Sequence, residues 1–353
     1  MNWEHKISTI VLWGKEIKKQ LEECPPPPSD LIPEPGVVDW HEGELWTILR
    51  KTYYQNNWLT PYHTYFMLTR IVEDYLDENV LRNWLSNYPA VSKDQQSMKV
   101  GITMAGNIPL AGFHDLLCVI LSGHRAILKL SSKDNILLPY LLEKLYSIAP
   151  EIREQVSISE HLLKDCDAYI ATGSDNSARY FEHYFGKYPH IIRRNRHSVA
   201  ILNGDESKEE LQALCQDIFL YYGLGCRNVS MLLVPENYDW MPFIECSKEF
   251  DHYMRFAKYK NNFDYQYTLL LLNKQEHWKS ECLLMEENPN LNAPISKLHF
   301  IYTNKAEKYL EAMNQEDIQV VVGKNHTPFG RAQYPAINDY ADHIDTMQWL
   351  LGL

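Results

Sequence analysis

"MKVGITMAGNIPLAGFHDLLCVILSGHRAILKLSS", residues 98–132, decides the fold class. A short apolar run, "KVGIT", reads as a strand. It passes into a loop of small residues that holds Asn107 and Pro109. "GFHDLLCVILSG" then reads as an apolar helix, and "RAILKLSS" as a second strand. Strand, helix and strand at this spacing form a βαβ unit, which requires a parallel sheet. The pattern continues outward. "DAYIATGS" (167–174) and "HSVAILNG" (197–204) are further strands, and "NILLPYLLEKLYSIAPEI" and "NSARYFEHYF" are helices between them. The fold class is therefore α/β with a mostly parallel sheet.

Upstream the texture is helical. Residues 3–21 contain an apolar patch, Ile7 to Trp13, that is too short to span a membrane and is flanked by charges. It predicts an amphipathic surface helix. "CPPPPSDLIPEPG" (24–36) cannot be helical, because consecutive prolines fix φ and lack N–H donors. Residues 43–88 return to helix, with Met67, Ile71 and Tyr75 on one face and Asp77 as an N-cap.

The chain has 353 residues, enough for two domains, and a formal net charge of -12. That balance excludes non-specific nucleic-acid binding, which needs clustered Lys and Arg. Seven scattered cysteines without a C-x-x-C pair give neither a disulfide framework nor a structural zinc site. With no secretion signal, they predict a cytoplasmic protein with reduced thiols.

"SKEELQALCQDIFLYYGLGCRNVS" (207–230) raises the chemical question. Ser207 and Glu210 form a capping box, and Leu211, Leu214, Ile218 and Tyr221 share one face. Gly223 suits a left-handed helix end, and "NVSMLLVP" reads as a strand. Cys226 thus stands at a helix–turn–strand corner, whereas Cys118 and Cys215 lie in apolar stripes and read as core. Three other pieces gather around this corner: Asn107 after its strand, Lys129 near a strand end, and the Thr172, Gly173, Ser174 turn at a helix start, where N–H groups suit an anion. Each alone is commonly structural. Their order is what counts.

"GNIPLAGF", "ILKLSSKD", "YIATGSDNSARYF" and "GLGCRN", in this order, resemble the aldehyde dehydrogenase superfamily, and more closely the LuxC-type acyl-CoA reductases. The resemblance implies an aldehyde dehydrogenase-like fold: a Rossmann-type nucleotide domain, an α/β catalytic domain and an N-terminal helical region. The expected bounds are residues 1–97 for the helical region, 98–195 with a return at about 320–353 for the dinucleotide domain, and 196–319 for the catalytic domain. It makes Cys226 the acyl-accepting nucleophile and Asn107 an oxyanion donor beside the Cys226 N–H. It gives Lys129 a cofactor ribose, and Thr172, Gly173 and Ser174 a place near the dinucleotide. The implied cofactor is NADPH, with NADH left open. The implied partner is acyl-CoA or an acyl-carrying protein, in a homo-oligomer or a multi-enzyme complex. No metal is expected.

Two departures bear on the chemistry. "RRNRHSVAIL" stands where the superfamily carries its general-base glutamate, and "NLNAPIS" where it carries a ribose-binding one. Loss of the base fits acyl transfer rather than hydrolytic aldehyde oxidation. A thiol of ordinary pKa, ~8.5, needs activation; Arg227 and the basic cluster 193–197 are candidates, and those arginines are also candidates for phosphate binding. His197 stands as a possible acid or base or a strand-end residue, and His114 reads as structural. The expected function is NADPH-dependent reduction of a fatty acyl thioester to the aldehyde through an acyl-cysteine. A redox-inactive acyltransferase, a non-catalytic acyl-binding subunit and a Cys/His hydrolase are the alternatives.

Overall fold

The computed structural model describes residues 3–31, 42–89 and 96–353. The chain divides into two units, residues 1–195 with 335–353, and residues 196–334. Part of the expected proline-rich linker, residues 32–36, lies outside the described residues.

The first unit starts with four helices, α1 (Trp3–Glu23), α2 (Glu44–Gln55), α3 (Pro61–Asp74) and α4 (Glu78–Leu85). Helix α1 is amphipathic as expected, yet it is more than a surface helix. Ile10 and Trp13 are fully buried, and the Trp13 indole donates to the Leu141 carbonyl at 2.9 Å. Gly14 permits this depth: a Cβ there would stand 2.8 Å from Leu76 Cβ. Thr60 caps α3 ahead of Pro61, and the Asp77 carboxylate accepts from the N–H groups of Asn79 and Val80 to start α4.

The βαβ reading holds for residues 98–132. They form β1 (Lys99–Thr103), α5 (Phe113–Ser122) and β2 (Arg125–Lys129). After them come α6 (Leu137–Ile148), β3 (Val156–Ile158), β4 (Ala168–Thr172), α7 (Asp175–Phe185) and β5 (His190–Arg193). The five strands are all parallel, in the order β3-β2-β1-β4-β5. This order winds outward in both directions from β1 and β4, the doubly wound arrangement. One core serves the sheet and the N-terminal helices together: Val100, Ile102, Leu116, Leu128 and Leu141 pack with Ile10, Trp13, Leu49 and Leu81.

The second unit opens with β6 (His197–Ile201), so "HSVAILNG" is a strand but belongs to a separate sheet. Then follow α8 (Lys208–Phe219), β7 (Val229–Val234), α9 (Met241–Ser247), α10 (Ala257–Leu272), β8 (Trp278–Lys279), β9 (Leu284–Glu287), β10 (Lys297–Tyr302), α11 (Ala306–Ala312) and β11 (Ile318–Val322). The sheet order is β11-β6-β7-β10-β9-β8, parallel except for the β8–β9 pair.

Strand β11 corrects one expected boundary. Its ladder partner is β6, with Val321 opposite Val199, so its backbone hydrogen bonds are satisfied inside the second unit. The return to the first unit therefore begins at Pro335, not near 320. It ends in α12 (Thr346–Leu351), whose Met347 and Leu350 complete the first core.

Candidate active site

Helix α8 delivers the Cys226 corner. Its capping box is formed: Ser207 Oγ accepts from the Glu210 N–H, and the Glu210 carboxylate accepts from the Ser207 N–H. The helix stops at Phe219, earlier than the glycine pattern implies. Tyr221 and Tyr222 take φ of 55° and 58°, ahead of Gly223 at 74°. A left-handed non-glycine residue costs about 1–2 kcal/mol. Aromatic packing offsets this strain: the Tyr222 ring lies 4.4 Å from Tyr253, 5.0 Å from Phe256 and 5.7 Å from Tyr259, centroid to centroid.

The chain then makes a turn from Gly225 to Asn228, with Cys226 at its first central position. The Asn228 N–H donates to the Gly225 carbonyl at 3.0 Å, and Asn228 Oδ1 accepts from the Gly225 N–H at 2.8 Å. Asn228 Nδ2 reaches back to the carbonyls of Asp217 (3.0 Å), Ile218 (3.3 Å) and Leu220 (2.8 Å). A single buried amide therefore closes the turn and satisfies the carbonyls left over at the helix end. Ser198 on β6 completes the frame, donating its hydroxyl to the Cys226 carbonyl at 2.9 Å.

Cys226 is exposed, while the other six cysteines are buried. Burial pushes the thiols of Cys118 and Cys215 well up, which keeps them protonated and inert, in agreement with their reading as core. Sequence reasoning found Cys226 but missed Ser198, Asn228 and Asp217. Asn228, a polar residue two positions after the cysteine and just before an apolar strand, is the signal that was there to read.

In the first unit, the remaining candidates line the carboxyl edge of one sheet. Thr103, Lys129 and Thr172 end the neighbouring strands β1, β2 and β4, with Thr103 opposite Lys129. Asn107 is exposed in the loop after β1. That loop lies close against the end of β2, since a Cβ on Gly106 would stand 2.7 Å from Ser131 Oγ. Asp134 accepts from the Leu110 N–H at 2.8 Å, holding Leu110 at a φ of 54°. Burial pushes the Asp134 carboxyl up to about 6.

Lys129 is half-buried, and its ammonium donates to the Glu160 carbonyl at 2.5 Å. Thr172 and Gly173 are half-buried; Ser174 is the N-cap of α7 and accepts from the Ser177 N–H at 3.4 Å. Gly173 allows a close approach, because a Cβ there would stand 2.8 Å from Ser177 Cβ. The loops after β1 and β4 flank the point where the strand order reverses, the usual binding crevice of an open α/β sheet. Cys226 belongs to the other unit.

The basic cluster 193–197 does not serve as a phosphate or thiolate site at Arg193. That guanidinium is buried and bidentate to Asp115, at 2.6 and 3.2 Å, and also donates to Thr346 Oγ1 and the Ala341 carbonyl. Arg194 pairs with Glu182, and Arg196 donates to the Ile318 carbonyl. His114 is structural, hydrogen-bonded to the Ile337 carbonyl at 2.8 Å among Tyr75, Trp84 and Tyr340. Among the described residues no His, Cys, Asp and Glu cluster fits a metal ion, and no helix is long and apolar enough to cross a membrane.

Residues 51–253 match the LuxC acyl-CoA reductase family, more than half of the chain. This chain belongs to that family. A long-chain acyl-protein thioester reductase from Aliivibrio fischeri is 23% identical over 220 residues, covering 56% of this chain and 44% of that protein. The chain thus spans less than half the length of the curated relative it matches. The fold is aldehyde dehydrogenase-like. The NAD+ complex of a Bacillus cereus aldehyde dehydrogenase superposes with a TM-score of 0.64 at 12% identity, over 91% of this chain and 72% of that one. Aldehyde dehydrogenase 21 from Physcomitrella patens gives 0.63 at 13%, over 92% and 74%. The Thermus thermophilus 1-pyrroline-5-carboxylate dehydrogenase gives 0.61 at 11%, over 95% and 72%.

Proposed function

We propose that this chain reduces a fatty acyl thioester to the aldehyde through an acyl-Cys226 intermediate. The observation that carries the reading is the contrast among the thiols. One cysteine alone is exposed, on a turn fixed by Asn228 and Ser198, in a family named for acyl-CoA reduction. The donor is acyl-CoA or a long-chain acyl-protein, the latter being the substrate named for the Aliivibrio fischeri relative.

The Cys226 thiolate attacks the thioester carbonyl carbon. A new S–C bond forms, the old one breaks, and the departing thiolate takes up the proton that Cys226 lost. The Cys226 N–H and the Asn107 amide are the proposed donors to the tetrahedral oxyanion; losing one such donor costs about 100- to 1000-fold in rate. A nicotinamide cofactor, when bound, would supply a hydride to the acyl carbon. With one proton from solvent on the oxygen, the acyl group becomes a thiohemiacetal on Cys226. Breaking its S–C bond releases the aldehyde and returns a proton to Sγ. Residues 193–201 offer no carboxylate to activate water, which favours thiol transfer over hydrolysis.

Lys129, Thr172, Gly173 and Ser174 are the residues proposed to hold the dinucleotide. The fit is supported by half-buried Lys129 at a strand end, by Gly106, where a Cβ would meet Ser131, and by Gly173, where a Cβ would meet Ser177 and Phe181 of α7. NADPH is the proposed form, on family resemblance. The non-catalytic reading was motivated by a missing ribose carboxylate.

The test is NADPH oxidation on adding an acyl-CoA or acyl-protein, with wild type and Cys226→Ala. Thioester-dependent oxidation abolished in the variant supports the reading. Oxidation that survives in Cys226→Ala removes the nucleophile.

A further inference from the structure

Helix α8 carries a second buried group that nothing above has used. Asp217 lies two residues before the helix end and is fully buried. Its Oδ2 accepts from the Gly330 N–H at 2.6 Å and its Oδ1 from the Ala332 N–H at 3.0 Å. Its own carbonyl accepts from Asn228 Nδ2, the amide that closes the Cys226 turn. The 329–332 loop lies directly on this face of α8. Gly330 has a φ of 77°, and a Cβ on it would stand 3.0 Å from Ala213 Cβ, one helical turn before Asp217.

A carboxyl placed in a fully buried helix face is costly unless its oxygens are satisfied. Here both are, and by backbone N–H groups of a loop 113 residues downstream. One residue therefore grips two segments: the loop through its side chain and the nucleophile turn through its backbone. We propose that Asp217 is a positioning residue that fastens the 329–332 loop to the Cys226 turn, so that the turn presents the thiol only while the loop is held. The proposal rests on the reading of Cys226 as the nucleophile.

The grip depends on ionisation. The two N–H groups favour the carboxylate, whereas enclosure in a buried helix face favours the acid. Burial pushes Asp217 up to about 7, against the pull of the two N–H groups and of Arg331. Other titratable groups around α8 are the thiols of Cys215, Cys246 and Cys282, the phenols of Tyr238 and Tyr253, Glu249, and Lys208, Glu209 and Glu210 at its start. Because burial outweighs the two N–H groups and Arg331, the enclosed carboxyl is held best when protonated, and the loop loosens as pH rises through about 7.

The test uses the full chain and two readouts. One is the rate of Cys226 alkylation by iodoacetamide from pH 5.5 to 9, mapped by mass; the buried cysteines do not compete. The other is single-turnover acylation by an acyl-CoA. Asp217→Asn keeps the size but loses one acceptor. It should slow acylation by about 10- to 100-fold, the scale of a small misplacement of a reacting group, with the half-saturating thioester concentration unchanged. The wild-type alkylation profile should show an inflection near 7 that the variant lacks. Gly330→Ala disturbs the loop from its other side and should reproduce the slowing, which covers a failure of Asp217→Asn to fold. Alkylation and acylation equal to wild type in a folded variant would overturn the proposal. If alkylation shows the coupling but no thioester acylates even the wild type, the functional reading fails and the positioning role stands.

Discussion

Asn228 makes five hydrogen bonds, through its side chain and its backbone N–H, across the turn that holds Cys226. Asn228→Ala would strand three helix-end carbonyls and the Gly225 N–H. Each buried polar group left unmade costs about 1–3 kcal/mol. The variant should lose several-fold in Cys226 alkylation rate and melt at a lower temperature, both measurable on one preparation. Aspartate at the same position keeps the acceptor and loses the donors, so it should not restore the wild type. The exposed cysteine was legible in the sequence because glycines beside a cysteine, after a capped helix, mark a corner rather than a core. Its supports were not. Ser198 and Asp217 act on residues that only the folded chain brings near, and in sequence Asp217 looks like one polar residue within an apolar helix; Asn228 alone, bonded to Gly225 three residues away, left a local signal.

At the scale of elements, turn geometry separates what was read from what was missed. The βαβ unit at 98–132, the capping box at Ser207 and the N-cap at Asp77 follow from local pattern, and they form as read. The end of α8 does not, because Gly223 accounts for only one of three left-handed residues; Tyr222 is held there by rings from elsewhere in the second unit. Strands β3 and β5 escaped notice because three and four residues carry too little periodicity. The turn after β4 gives a direct prediction. In Gly173→Ala the new methyl meets Ser177 Cβ and Phe181, at 2.8 and 3.0 Å. Overpacking of this kind costs about 1–3 kcal/mol. If the turn holds the dinucleotide, NADPH affinity should fall by about tenfold, as read by fluorescence titration; unchanged affinity would move the cofactor away from this turn.

Across the whole molecule, the two sheets set the division of labour, and the chain crosses from one to the other between β5 and β6. The first crossing was placed at residues 195–196 by the family resemblance alone, since in the strand pattern "HSVAILNG" simply continues the series. The return was not legible, since β11 is assigned by its ladder to β6, a partner more than 100 residues away. Arg193 illustrates the same limit. In sequence it belongs to a basic cluster; in the fold it joins β5 to α5 and α12 through Asp115 and Thr346. Asp115→Ala would leave that guanidinium buried without its carboxylate, at a cost of about 3–5 kcal/mol. Denaturant unfolding should show this as a lower midpoint, and an unchanged midpoint would mean that the ion pair contributes nothing net.

The central claim is a covalent acyl group on Cys226. Its most direct test is the intact mass of the protein after mixing with acyl-CoAs of graded chain length, and again after adding NADPH. The account predicts one acyl adduct, mapped to Cys226, that NADPH discharges as the aldehyde. An adduct that persists with NADPH would point to an acyltransferase. No adduct from any CoA or protein donor would contradict the account.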